Sequence, residues 1–267
     1  MGVYTGKVIV LTGASSGIGR ALALALAEQR PRLVLAARDE ARLAEVAAAC
    51  QAKGADVLVV PTDVASQQAC QKLIERSLER FKVIDVLVNN AGIGMIAAFD
   101  QVQDLTGYES LMKVNYLGCV YPTYYALPEL KKSRGQIVVV ASVAGLTGVP
   151  GRTAYSASKH AVVGFSESLR IELRSSGVDV TVVAPDYVLS ELQRRALGPD
   201  GQPLGKSPLE ESKIMTAEDC ARRIVGAMQR RQRLLITSLR GRLGRWAKLV
   251  VPGLIDRIAQ RAVARGH

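Results

Sequence analysis

The feature that most constrains the fold of this 267-residue chain is the regular alternation of short apolar runs with longer segments of helical periodicity. The strand-like runs are residues 7–11, 32–37, 56–60, 84–89, 136–141, 179–184 and 233–237. The helical patterns between them are residues 19–29, 40–50, 67–81, 107–132, 155–176 and 217–231. Strands that are apolar throughout are buried on both faces, and a helix follows each of the first six. The pattern therefore predicts an α/β fold, a single doubly wound parallel sheet of about seven strands with helices on both faces.

Three glycines separate the first strand from the first helix, in the stretch TGASSGIG at residues 12–19. Glycines at such a turn let the backbone approach a pyrophosphate, and the N-terminus of the helix supplies N–H donors. We therefore predict a dinucleotide-binding loop made by Gly13, Ser15, Ser16, Gly17, Ile18 and Gly19.

The same loop also satisfies the pattern G-x-S-x-G, with Ser15 at its centre, which is typical of hydrolase nucleophiles. That mechanism requires a histidine base, and the chain has only His160 and the terminal His267. His160 directly follows Lys159, in a different pattern. The sequence therefore argues against a hydrolase.

The end of the second strand indicates which dinucleotide is bound. Sites for NAD usually have a carboxylate there to bind the ribose hydroxyls, but this chain has Ala37 followed by Arg38. The guanidinium of Arg38 suits a 2′-phosphate, and we expect Asp39 to cap the next helix. The sequence therefore predicts NADP(H) as the cofactor.

Tyr155 and Lys159 are four residues apart in a helical segment, so both side chains lie on one face. Such a pair also occurs by chance at helix surfaces. Its meaning depends on the motifs that accompany it.

Those motifs, taken in order, resemble the classical short-chain dehydrogenase/reductase family over residues 5–240. The matching pieces are TGASSGIG (12–19), DV (63–64), NNAG (89–92), Asn115, Ser142 and YSASK (155–159). The resemblance implies a Rossmann-type domain over residues 1–240, no metal, and an oxidoreductase that interconverts alcohols and carbonyls. The catalytic tetrad that it implies is Asn115, Ser142, Tyr155 and Lys159.

The same resemblance assigns roles to individual residues. Tyr155 would be the acid/base, and Lys159 would lower its pKa while both contact the cofactor. Ser142 would hydrogen-bond the substrate oxygen, and Asn115 would support the lysine through a water. Further cofactor contacts would come from Asp63, Val64, Asn90, Ala91, Gly92, Pro185, Val188 and Ser190. One departure is that Asp186 follows Pro185 where the family usually has glycine.

The segment 186–215 is long and rich in glycine and proline, so we expect it to form a substrate lid, followed by a helix capped by Thr216. The predicted substrate pocket is largely apolar and comprises Ile93, Met95, Ser142, Leu146, Val149, Tyr155, Tyr187, Leu189 and Leu192. Such a lining favours a hydrophobic ketone, aldehyde or secondary alcohol, although the same residues would also serve as packing.

Two other functions stay open. One is a 3-oxoacyl-thioester reductase of lipid metabolism, whose acidic carrier would meet Arg152, Arg194 and Arg195. The other, from a different class, is a non-catalytic NADP-sensing or scaffold protein, which would have no need of the intact tetrad.

Composition bounds the location and the partners. The four cysteines are widely separated, no signal peptide or long apolar run is present, and aromatic residues are only 4% of the chain. We therefore expect a cytoplasmic protein that binds neither metal nor nucleic acid. The helical segments 107–132 and 155–176 resemble the family's dimer surface, so we expect a homodimer or homotetramer.

The whole excess positive charge lies near the C-terminus. Residues 222–267 contain 12 Lys and Arg and one Asp, a net of +11, which equals that of the full chain. Residues 241–267 combine basic and apolar helical faces divided by Pro252 and Gly253. Two occupants are considered for the apolar face: an anionic membrane surface, and the protein itself or a neighbouring subunit.

Overall fold

The computed structural model describes residues 2–205 and 214–264, the side chains of 261–264 excepted. Seven parallel strands form one sheet in the order β3-β2-β1-β4-β5-β6-β7. The strands are β1 (Val8–Thr12), β2 (Arg32–Ala37), β3 (Asp56–Pro61), β4 (Val86–Asn89), β5 (Gln136–Val140), β6 (Asp179–Ala184) and β7 (Leu234–Ile236). The doubly wound fold predicted from the sequence is confirmed. Part of the predicted lid, residues 206–213, and the last residues of the tail lie outside the described residues.

Helices cover both faces of this sheet. They are α1 (Gly17–Ala27), α2 (Glu40–Gln51), α3 (Gln67–Phe81), α4 (Thr106–Leu111), α5 (Gly118–Ser133), α6 (Thr153–Glu172), α7 (Ala217–Gln229), α8 (Leu239–Val250) and α9 (Pro252–Ala264). Helices α1, α2 and α7 pack in one core, and α3, α5 and α6 pack in the other. Alternate residues of β1 enter opposite cores, Ile9 one and Val10 the other, which explains why the strand is apolar throughout.

The strand order changes direction at β1. Its neighbours are β2 on one side, with Thr12 opposite Ala36, and β4 on the other, with Leu11 opposite Val88. The loops that leave β1 and β4 therefore separate and open a crevice at the carboxyl ends of the strands, where ligands of such folds bind.

The predicted helix over residues 107–132 is interrupted. Between α4 and α5, residues Met112–Leu117 form a turn of π-helix, which contains Asn115. Beyond this turn, the start of α5 packs closely against the loop that follows β3. A Cβ atom at Gly118 would lie only 2.7 Å from Cγ2 of Val64 in that loop. Single π turns occur often at functional sites, and the apolar periodicity of a sequence does not reveal them.

The tail forms α8 and α9, which divide at Pro252 as the sequence predicts. Ser238 caps α8 by accepting a hydrogen bond from the Gly241 N–H at 2.9 Å, so the helix begins slightly before the expected boundary. Within the described residues, no helix has the length and apolar character needed to cross a bilayer.

Candidate active site

A cavity of about 1260 Å³ lies at the carboxyl ends of the strands. Its volume exceeds the usual range for a small-ligand site, which leaves space for a dinucleotide together with a substrate. The predicted cofactor residues all line it: Gly13, Ser15, Ser16, Gly17, Ile18, Gly19, Arg38, Asp63, Val64, Asn90, Ala91, Gly92, Tyr155, Lys159, Pro185, Val188 and Ser190. The fold thus brings together the segments that follow β1, β2, β3, β4 and β6 with one face of helix α6.

The glycine loop is shaped as a phosphate site. Gly13 has a φ of +67°, and a Cβ atom there would lie 2.8 Å from the Cα atom of Ala91. A Cβ atom at Gly19 would lie 2.0 Å from the carbonyl oxygen of Gly13, so only glycine fits either position. Ser16 makes no side-chain cap on α1, and the first turn holds no acidic residue. The N–H groups of this helix end are therefore suited to a pyrophosphate.

A threonine that sequence reasoning missed holds this loop in position. The buried Thr12 hydroxyl donates to the Val88 carbonyl oxygen at 3.3 Å and accepts the N–H groups of Asn90 at 3.0 Å and Ala91 at 3.2 Å. The Asn90 amide donates back to the carbonyl oxygens of Thr12 and Gly13. The signal in the sequence is the polar residue at the end of an otherwise apolar strand.

The part of the cavity beside the end of β2, where we expect the adenosine ribose, has no free carboxylate on that strand. Arg38 lines the cavity there, while Asp39 caps α2 by accepting the Arg42 N–H at 3.1 Å, as expected. Arg42 also bonds Glu191 of the lid at 2.7 Å. This ion pair connects the lid to the far side of the cofactor region.

The catalytic candidates lie at the middle of the cavity. Tyr155 and Lys159 are both buried on α6, and the Lys159 Nζ lies 5.8 Å from the centre of the Tyr155 ring. Ser142, two residues after β5, lines the same cavity, and its hydroxyl acts to lower the pKa of Tyr155. Its Oγ accepts the Ala144 N–H at 3.1 Å and donates to the Pro185 carbonyl oxygen at 3.5 Å, which fixes the side chain at the turn after the strand.

Burial dominates the ionisation of this pair. It raises the pKa of Tyr155, against the hydrogen bond from Ser142 and the positive charge of Arg152. Burial also lowers the pKa of Lys159 to about 8, so the ammonium persists at neutral pH. The lysine donates to the Val140 carbonyl oxygen at 3.0 Å. The sequence led us to expect that Lys159 lowers the pKa of Tyr155, but in this arrangement the lowering comes from Ser142 and Arg152, and burial outweighs both.

Asn115 lies behind the lysine rather than in the cavity wall. Its Oδ1 accepts the Ile93 N–H at 2.8 Å, and its Nδ2 donates to the Ile93 carbonyl oxygen and to Ser158 Oγ. A Cβ atom at Gly92 would lie 3.1 Å from Asn115 Oδ1 and 3.4 Å from Lys159 Nζ, so glycine keeps the space between the two groups clear. The geometry is compatible with support of the lysine through a water.

The predicted substrate residues divide into two groups. Ile93, Ser142, Leu146, Val149, Tyr155, Tyr187 and Leu192 line the cavity. Met95 and Leu189 do not. Met95 forms a bridge with Leu197 and is buried in a small cluster beneath the lid, whereas Leu189 is exposed on the lid. Alternation along an extended segment turns neighbouring side chains in opposite directions, and a sequence does not state which direction faces the cavity.

The C-terminal helices form one wall of the cavity. The residues of α8 and α9 that line it are Arg240, Gly241, Gly244, Arg245, Ile255, Ile258 and Ala259. The sequence predicts a separate extension but leaves open that its apolar face packs on the protein itself, and Ile255 and Ile258 belong to that face. No local motif indicates this contact, because it joins segments far apart in the chain.

The hydrolase alternative has no support in the geometry. Ser15 belongs to the glycine loop, and the His160 Nδ1 lies 2.8 Å from the carbonyl oxygen of Ser156, one turn earlier on α6. The rim arginines weighed for an acidic carrier are engaged as well: Arg152 lies over the Tyr187 ring, and Arg195 pairs with Glu191.

These features define a dinucleotide-binding oxidoreductase, and comparison with known proteins gives the family. A family model described as "short chain dehydrogenase" matches residues 7–198. A Pinus massoniana protein named "11-beta-hydroxysteroid dehydrogenase" is 37% identical over 258 residues, which cover 94% of this chain and 72% of that protein. A Dictyostelium discoideum "Dehydrogenase/reductase SDR family protein 7-like" is 34% identical and covers 95% and 80%. The chain belongs to the short-chain dehydrogenase family.

Solved structures agree with this assignment. A Burkholderia phymatum short-chain dehydrogenase/reductase in complex with NAD superposes with a TM-score of 0.83 at 29% identity, covering 95% of this chain and 96% of that one. An alcohol dehydrogenase of Thermococcus sibiricus complexed with 5-hydroxy-NADP gives 0.76 at 26% identity, covering 86% and 95%. The protein is therefore an oxidoreductase of CH–OH or C=O groups that uses a nicotinamide cofactor.

Proposed function

We propose that the protein reduces a hydrophobic ketone or aldehyde with NADPH, or oxidises the matching secondary alcohol with NADP⁺. The observation that carries this proposal is the cluster of the buried Tyr155 and Lys159 with the half-buried Ser142, which shares one cavity with the glycine loop. A sensor or scaffold protein on this fold would need the loop but not the cluster.

A nicotinamide cofactor held by the glycine loop and by Lys159 would supply the hydride that the carbonyl carbon receives. Tyr155 holds the proton that the substrate oxygen receives, and Ser142 positions that oxygen by a hydrogen bond. The Lys159 ammonium favours the phenolate once the proton has left, because opposite charges attract strongly in a buried site. Asn115 holds the Ile93 backbone and the Ser158 hydroxyl beside the lysine, so the lysine keeps one position through the reaction.

The tyrosine tests this mechanism. Replacing Tyr155→Phe removes the proton donor and leaves the glycine loop intact, so kcat for ketone reduction should fall about 100-fold or more. Affinity for NADPH, measured by its fluorescence, should change little. Tyr4→Phe is the matched control, since Tyr4 is also buried but bonds Gln136 at the other end of the sheet. Substantial turnover by the Tyr155 variant would refute the assignment.

The substrate class rests on the cavity lining and on the names of relatives. The substrate side is walled mainly by Ile93, Leu146, Val149 and Leu192, which offer few fixed polar groups. Relatives are named for 11β-hydroxysteroids, so we propose a fused-ring ketone of steroid size. A panel that contains an 11-ketosteroid, cyclohexanone and a 3-oxoacyl thioester distinguishes this class from the thioester reductase.

We propose NADP(H) rather than NAD(H) because Arg38 lines the adenosine end and Asp39 is occupied as the α2 cap. The double change Ala37→Asp and Arg38→Ala introduces a carboxylate for the ribose hydroxyls and removes the guanidinium. The ratio of kcat/KM for NADPH to that for NADH should fall on the order of tenfold or more. A wild-type enzyme that already prefers NADH would contradict this proposal.

We further propose a homodimer formed through α5 and α6. Two large side chains on these helices, Tyr124 and Ile171, are exposed, which is consistent with a covered surface in an assembly. Light scattering at micromolar concentration should give at least twice the chain mass of 28.6 kDa, and Ile171→Glu should lower it. A monomeric wild-type mass would refute the dimer.

The tail supports a peripheral membrane contact. Five of its large apolar side chains that do not line the cavity are between 54% and 80% exposed: Leu243, Trp246, Leu249, Val250 and Leu254. Arg242 and Arg257 are exposed on the same two helices. An apolar stripe flanked by cations fits an anionic membrane surface, where each basic residue contributes about 1 kcal/mol. We propose that the apolar stripe of α8 and α9 contacts an anionic membrane surface.

Trp246, the single tryptophan of the chain, reports this contact directly. Its fluorescence should shift to the blue on adding phosphatidylserine vesicles, less so at high salt. The pair Trp246→Ser and Leu249→Ser should lose most vesicle sedimentation, whereas Val3→Ser, of similar exposure, should not. Equal sedimentation by wild type and the double variant would refute membrane contact. If the wild-type protein does not sediment with vesicles, and the double variant has a smaller mass by light scattering than the wild type, the apolar stripe instead contacts a second copy of the chain.

A further inference from the structure

The carboxylate of Asp186, at the position where the family usually has glycine, joins the end of β6 to the start of α8. Arg240 donates to it through Nε at 3.1 Å and Nη2 at 2.8 Å, one bond to each oxygen. The Ser238 hydroxyl, which caps α8, donates to it at 2.6 Å. A glycine at 186 could make none of these three bonds.

In the ion pair of Asp186 with Arg240, the aspartate is the more buried partner. Its side chain is 15% exposed, against 71% for Arg240. Burial raises the pKa of Asp186, but the hydrogen bonds from Arg240 and Ser238 outweigh it and hold the pKa below its ordinary value. The backbone N–H of Asp186 also donates to Thr237 Oγ1 at 3.0 Å. We call these bonds to Thr237, Ser238 and Arg240 the Asp186 clasp.

The clasp lies directly beside the catalytic turn. Pro185, the preceding residue, accepts the Val143 N–H at 2.9 Å, and Val143 follows Ser142. Gly241, in the first turn of α8, is packed so closely that a Cβ atom would lie 3.0 Å from Val143 Cγ2 and 2.9 Å from Ile236 Cγ2. The start of α8 is thus pressed against the turn that carries the candidate catalytic serine.

The clasp also fixes a pocket aromatic. Two guanidinium groups lie over the Tyr187 ring, Arg240 at 5.5 Å and Arg152 at 5.6 Å from its centre. Arg152 immediately precedes α6, the helix of Tyr155. These two cation–π contacts favour one orientation of the ring in the cavity wall.

Beyond the clasp, α8 and α9 pack on each other and supply one side of the cavity. The apolar part of that side comes from α9, through Ile255, Ile258 and Ala259. Since α9 follows α8 directly, its position depends on how α8 is anchored.

We propose that Asp186 is a positioning residue that holds the C-terminal helices as a wall of the substrate cavity, and that this wall selects large apolar carbonyl substrates. The selectivity part rests on the proposed function. The anchoring part does not, and the two are measured separately.

Anchoring is measured by limited proteolysis with trypsin of the full-length protein. The tail offers cleavage sites at Arg242, Arg245, Lys248 and Arg257. In Asp186→Gly, which restores the residue usual in the family, cleavage in this segment should be several-fold faster than in wild type. Asp179→Asn is the matched control, since it breaks the ion pair of Asp179 with Arg231 at the opposite end of β6. That control should leave the tail cleavage unchanged.

Selectivity is measured with an 11-ketosteroid as the large probe and cyclohexanone as the small one. In Asp186→Gly, KM for the steroid should rise about tenfold with kcat little changed, and KM for cyclohexanone should stay the same. A purely structural loss would lower kcat for both probes equally. Arg240→Gln removes the other partner of the ion pair and should raise KM for the steroid by a similar factor. Since both changes remove the same interaction, the double variant should raise KM no more than either single variant.

Faster tail cleavage together with the selective rise in KM supports the proposal. Unchanged cleavage overturns anchoring, even where KM changes, and faster cleavage with unchanged KM ratios overturns selectivity. If wild type reduces no ketone of the panel, the proposed function fails and the selectivity part fails with it. The cleavage rates still decide whether Asp186 anchors the tail.

Discussion

The arrangement of the site depends on burying a lysine beside a tyrosine at the edge of the sheet. An ammonium without water requires hydrogen-bond acceptors, and Lys159 has one in the carbonyl oxygen of Val140, the last residue of β5. Even so, burial lowers the pKa of Lys159 to about 8. Burying the Lys159 ammonium costs free energy because the group loses its hydration, and several neighbouring elements hold it in one place. Among them are the π turn that brings Asn115 behind it and the glycine at 92 that leaves room between the two.

The sheet makes this concentration of polar groups tolerable. Each of the two large cores is closed by three helices and holds most of the apolar burial that stabilises the fold, whereas only a small cluster around Met95 and Tyr155 lies at the carboxyl edge. At that edge the backbone turns carry the polar contacts. Thr12 accepts N–H groups from the loop after β4, and Pro185 accepts one from the turn after β5. The loop after β4 is therefore bonded to the end of β1, and the turn after β5 is bonded to the residue that follows β6.

Much of this was predictable because it depends on local pattern. The strands and most helices follow from apolar periodicity, and the glycine loop follows from its position after β1. The π turn was not predictable, since i+5 bonding leaves no trace in the apolar pattern of the segment 107–132. Met95 was assigned to the pocket because it is apolar and near the motif, yet its bridge with Leu197 turns it into the protein. The departure at Asp186 was visible in the sequence, but its partners lie about fifty residues away and no spacing rule links them.

The basic tail therefore has two surfaces with different chemistry, and each can be changed without the other. Its inner side contacts the cavity through residues such as Ile255 and is fixed at its start by Asp186. Its outer side presents the exposed side chains of Trp246 and Leu249 on a helix that also carries basic residues. Removing the Asp186 carboxylate leaves the outer stripe chemically intact, and removing Trp246 leaves the clasp intact. The start of α8 is thus joined to the neutral body by the ion pair of Arg240 with Asp186 and by Arg242, whose Nε donates to the Ile236 carbonyl oxygen at 3.1 Å, and neither bond involves the exposed stripe.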